Sequence, residues 1–148
     1  MGFFDSLTGG RERERSTLTS QEAIPAILIA ISSADGDMAD EEVSALVGVM
    51  QRMRMLETVS DEQRDAMFNK LFGLLKKQGA PALMAGGIQA CPPNLRDTAF
   101  LLATDMVLAD GVVEQKEREF LTQLKKALAI SDELATKIID VMKIKNKA

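Results

Sequence analysis

The chain has 148 residues, 46% of them hydrophobic, and a formal net charge of −4; that length can bury a core without disulfides or a structural metal, and the acidic balance excludes a general nucleic-acid binder, which needs a basic face to displace counterions. With no His and one Cys, Cys91, it cannot build an imidazole base, a Ser-His or Cys-His nucleophile pair, a His-containing zinc site or an internal disulfide. Nine Met, six Phe and neither Trp nor Tyr describe helices packed through flexible aliphatic side chains, no apolar run approaches the roughly 20 residues that span a bilayer, and an intracellular location is expected from the lone cysteine.

In chain order, residues 1–18 read as a flexible N-terminal segment. Its apolar side chains Phe3, Phe4 and Leu7 would cover a groove on the domain or touch a membrane surface, and Gly9-Gly10 with the self-neutralising Arg11–Arg15 run joins it to a single domain over 19–148. Thr19-Ser20-Gln21-Glu22 offers a capping box, so a first helix should run from there to about Ala34, with Pro25 tolerated near its start. A second helix is expected from Ala39 to Met55, with Asp40, Glu41 and Glu42 in its first turn. Ser60-Asp61-Glu62-Gln63 opens a third, which ends at Lys76-Lys77-Gln78-Gly79. Pro81 starts a short fourth helix weakened by Gly86-Gly87, and Asn94 should cap a fifth from Leu95 to about Ala109. A sixth from Glu114 to Leu128 and a last one behind Ser131-Asp132-Glu133 complete an all-α bundle of about seven helices.

One phrase occurs twice, 75 residues apart: Ala34-Asp35-Gly36 and Ala109-Asp110-Gly111, each with an apolar residue two places after the Gly, Met38 or Val113, and a glutamate seven places after the Asp, Glu42 or Glu117. Apolar flanks match as well, as Ile27 with Leu102, Ile31 with Met106 and Leu46 with Leu121. The chain therefore contains two helix-turn-helix units related by a pseudo-two-fold repeat, each with an acidic elbow.

Gly, apolar residue and Glu fall on positions 6, 8 and 12 of an EF-hand loop, but positions 1 and 3 would be Ile31 and Ser33, or Met106 and Leu108, so neither elbow is a complete calcium site. Two half-sites that faced each other would surround a hard cation, calcium or magnesium, with Asp35, Glu42, Asp110 and Glu117, the carbonyls of Asp37 and Val112, and water. Two carboxylates about 5 Å apart repel by roughly 3 kcal/mol at an effective dielectric near 20, so either a cation or raised pKa values must resolve such a cluster. A metal-free reading stands beside it: Gly36 and Gly111 take the left-handed conformation, Met38 and Val113 plug the core, and the four acids cap the following helices. Asp37, Asp40, Glu41 and Glu114 lack an acidic counterpart in the other copy and read as a solvated rim.

The paired Ala-Asp-Gly elbows with Glu at plus seven, the opening Met1-Gly2-Phe3-Phe4-Asp5 and the length resemble the TerB-like family of bacterial tellurite-resistance proteins. The resemblance implies an all-helical fold and a non-enzymatic, cytoplasmic role in tellurium-ion resistance and stress response. It also implies metal binding at Asp35, Glu42, Asp110 and Glu117, and partners among other tellurite-resistance proteins, a TerC-type membrane protein included, with peripheral association at the inner face of the cytoplasmic membrane. The alternative is a helical protein–protein adaptor whose acidic elbows are only helix caps. A metal-assisted hydrolase is weaker, because nothing supplies a general base or an anion-binding Gly-rich loop.

Overall fold

The first helix has no polar face, and the architecture follows from that. From Ala23 to Ile31 every residue is apolar, so burial of one stripe cannot satisfy it and the helix has to be enclosed. In the computed structural model, which describes residues 18–34, 38, 40–109, 111, 113 and 115–147, α1 (Ser20–Ser32) is buried at every position from Glu22 onward. Around it stand α2 (Asp40–Gln51), α3 (Asp61–Gln78), α4 (Ala80–Ala90), α5 (Arg96–Leu108), α6 (Gln115–Ala127) and α7 (Asp132–Lys145). Helices α2 to α6 all touch α1, α4 most extensively, while α7 packs on α5. The described residues therefore form the expected all-α bundle of seven helices.

Gly87 explains the intimacy of α1 and α4. A Cβ at this position would lie 2.8 Å from Ile27 Cγ1 and 2.9 Å from the Ala23 carbonyl oxygen, so the absence of a side chain lets the two backbones approach. The pair Gly86-Gly87, read from sequence as a weakness of the helix, is at Gly87 a packing requirement. Leu18 closes the same seam, buried at 7% exposure and in van der Waals range of a Cβ at Gly86.

Helix starts agree well with the capping signals. The Thr19 hydroxyl accepts from the Glu22 amide at 3.3 Å, and Glu22 Oε1 accepts from the Thr19 amide at 2.9 Å. Ser60 and Gln63 form the same reciprocal box, and Ser131 caps α7. Two boundaries differ from expectation. Helix α2 stops at Gln51 and not Met55, because a separate 3-10 turn over Arg54–Leu56 redirects the chain. Asn94 is not a cap: it lies inside a 3-10 turn, Pro93–Leu95, and the residue at the start of α5 is Leu95, which makes no side-chain capping bond. In both places a 3-10 turn sets the local geometry, and propensity yields to it.

Glu22 joins the capping box to the tertiary fold. Its two carboxylate oxygens accept from Lys70 Nζ of α3 at 2.9 and 3.1 Å, and its side chain is only 12% exposed. Burial on its own would raise the carboxyl pKa, but the Thr19 amide and the Lys70 ammonium outweigh it and hold the group below its ordinary value of 4.5. A depressed carboxyl stabilises the fold above its unfolded pKa, and that contribution is lost as pH falls through the folded value. Cys91, 5% exposed, has its thiol pushed up by burial, with Arg96 opposing, and is a packing residue.

Two outcomes follow. Gly87→Ala should lose about 1–3 kcal/mol in urea denaturation through forced separation of α1 and α4, whereas Gly48→Ala in α2, where a Cβ meets nothing within 4 Å, should gain about 0.5–1 kcal/mol. Glu22→Gln should lose about 1–3 kcal/mol at neutral pH, and its stability should fall less steeply than that of the parent between about pH 5 and pH 3.

Candidate functional site at the paired elbows

The C-terminal ends of α1 and α5 and the N-terminal ends of α2 and α6 meet around one cleft of about 430 Å³. Its walls include Ile31 with Met106, Ser32 with Val107, and Glu42 with Glu117. Each pair occupies equivalent positions of the repeat, so both halves of the chain present the same positions to one space. A direct link crosses it: the buried Ser32 hydroxyl donates to Met106 Sδ at 3.9 Å, a weak bond between the two helix ends.

The local sequence accounts for where the glutamates stand. Each is the third residue of its helix, α2 or α6, both of whose first turns project toward the cleft. This is the position from which a glutamate can turn back toward its own helix start, and there the positive end of the helix dipole favours negative charge. Both side chains are half-buried. In front of them Met38 and Val113 are partly buried and packed against the core, as their apolar spacing predicts. Gly111 takes φ +76 with open space around it, the left-handed conformation read for it from sequence.

Of the four acids singled out by the repeat, Glu42 and Glu117 thus border a common cleft. Asp35 and Asp110 lie outside the described residues, as do Gly36 and the carbonyl-bearing Asp37 and Val112. Glu41 is an addition. Its counterpart in the second elbow is Lys116, so the repeat marks it as solvated rim, and it is exposed, yet it also lines the cleft. Only the inward curl of the first turn of α2 shows this; no spacing rule would have selected it. Among the described residues, no group of three or more His, Cys, Asp or Glu side chains is disposed to hold a metal ion.

The donor chemistry at the described part of the cleft is therefore glutamate carboxylate and one hydroxyl, with the Met106 thioether and aliphatic groups beneath. Carboxylate oxygens at a concave, half-buried position suit a hard divalent cation, which takes six or more oxygens and fills open positions with water. The same carboxylates, set against two helix N-termini, also satisfy the electrostatics of the helices themselves. No helix among the described residues is long and apolar enough to cross a membrane.

Comparison with known proteins agrees with the architecture. Neither the curated proteins nor the solved structures give a significant match. A family model described as tellurite resistance protein TerB matches residues 21–139, from the first turn of α1 into α7, and the chain belongs to that family.

Proposed function

We propose that this protein is a non-enzymatic tellurite- and stress-resistance protein that binds a divalent cation, calcium or magnesium, between its two elbows. One observation supports this reading above the rest: Glu42 and Glu117, equivalent acids from the two halves of the repeat, border the same cleft. Asp35 and Asp110, adjacent in sequence to the helix ends that wall the cleft, would complete the ligand set. A cation held from both sides would tie the α1–α2 unit to the α5–α6 unit and make the relative position of the halves depend on the ion.

An acidic cleft repels an oxyanion, so tellurite is not the ligand expected there unless a cation bridges it. Resistance would instead act through assembly, with other tellurite-resistance proteins, a TerC-type membrane protein among them, recognising the cation-bound form at the inner face of the cytoplasmic membrane. The adaptor reading, in which the acids only cap helices, draws on the placement of Glu42 and Glu117 at the third position of α2 and α6 with Met38 and Val113 plugged into the core.

Thermal melting with calcium, magnesium, manganese and zinc separates the two. A cation at about 100 times its dissociation constant should stabilise the fold by roughly 2.7 kcal/mol, about 5 to 10 °C in a domain of this size. The doubly substituted Glu42→Gln/Glu117→Gln chain should lose that shift while keeping its helical content. No shift with any of the four ions, or an unchanged shift in the variant, would sink the cation site and leave the adaptor.

A further inference from the structure

A second cavity, of about 450 Å³, opens nearer the start of α1, also between α2 and α5 and beneath the 3-10 turn. Its floor is apolar, from Ile24, Met53, Met55 and Leu102, and Arg52 and Arg54 stand on its rim. Both arginines are exposed, and no ion pair joins either to another described residue. The one carboxylate in the wall, Asp105, is already engaged by Lys145 Nζ at 3.2 Å and Asn146 Nδ2 at 2.9 Å. The cavity thus takes an apolar body with an acidic group beside it.

We propose that the occupant is this chain's own segment Phe3-Phe4-Asp5-Ser6-Leu7, folded back over the cavity as an intramolecular plug. Four of the six Phe residues, Phe68, Phe72, Phe100 and Phe120, belong to the helical domain and touch its core, and the other two are the adjacent pair Phe3-Phe4. Asp5 follows them directly and supplies the charge that the Arg52 and Arg54 rim lacks. Met53 and Met55 in the floor are the side chains best able to adapt to aromatic rings, through flexible stems and sulfur contacts.

The tether is short enough and starts in the right place. The described chain begins at the buried Leu18, and three residues later Gln21 Nε2 donates to the Met55 carbonyl at 3.3 Å, which fixes the start of α1 against the cavity rim. Leu18 precedes the helix by two residues, and from Ser20 to Ile24 the rise along α1 is about 6 Å. A stretch of ten residues, the number from 8 to 17, can span at most about 33 Å. The segment therefore reaches the cavity at high effective concentration, which offsets the modest affinity of two rings and one carboxylate.

The chain has no Trp, so Phe3→Trp in the full-length protein is a clean reporter. Its emission should be blue-shifted from that of an exposed indole and several-fold protected from acrylamide, with no change on dilution. Thr98→Phe, a change at an exposed position on the cavity wall, should fill the space and release the indole, as should Arg52→Glu/Arg54→Glu, in chains that keep the parental helical content. A fully quenchable, red-shifted indole in the parent would overturn the proposal. So would protection that depends on protein concentration, which would place the segment on a second copy, or protection that survives both cavity variants. Protection acquired only on addition of anionic phosphatidylglycerol vesicles would assign the segment to a membrane surface and equally overturn it.

Discussion

Everything in this fold is arranged around a helix that has no side to show to water. Between Ala23 and Ile31 α1 carries only apolar residues and Pro25, so its burial demands neighbours on every flank. Close approach of α4 at Gly87 supplies the tightest of these contacts, and a glycine there costs little because what the helix loses in propensity it regains in packing. The Glu22–Lys70 pair then ties the polar start of the same helix to α3. Enclosure of α1 also fixes where its C-terminal end emerges, and the first elbow is attached there.

The second half of the chain uses the same local pattern with a different degree of burial. Helix α5, the counterpart of α1, is enclosed at Ala99, Phe100, Ala103, Thr104 and Val107 but half-exposed at Leu101, Leu102 and Asp105. Because α5 lies against α1, the ends of the two helices come together, and the first turns of α2 and α6 border the same cleft. The pairing of Glu42 with Glu117 is thus a consequence of packing two equivalent helices side by side. Each glutamate also stands in the first turn of its own helix, where the positive end of the dipole favours its charge.

Much of this was legible in the residues. Capping boxes at Thr19 and Ser60 and the Ser131 cap located three helix starts, since a hydroxyl three residues before a hydrogen-bonding side chain or amide is a local device that needs no tertiary context. Gly111 and the apolar plugs Met38 and Val113 were equally local. What escaped was everything decided at a distance. Asn94 looks like a cap, yet the Pro92-Pro93 turn sets the chain direction and leaves Leu95 at the helix start. Ala129 adopts φ 58 to close α6, with the Ile130 amide bonded back to the Lys125 carbonyl, and no glycine announces it. Glu41 borders the cleft although its repeat partner is a lysine.

The sequence by itself determined the helical class, the seven helices of the described residues, the duplicated elbow and which acids occupy equivalent positions, because caps, periodicity and repeats act within a few residues of one another. Only the tertiary structure decided that α1 is the axis, that Gly87 is a contact and not a flaw, and that Glu42 and Glu117 face one space. Those relations join residues tens of positions apart, and they exist only once an all-apolar helix has forced its neighbours to close around it.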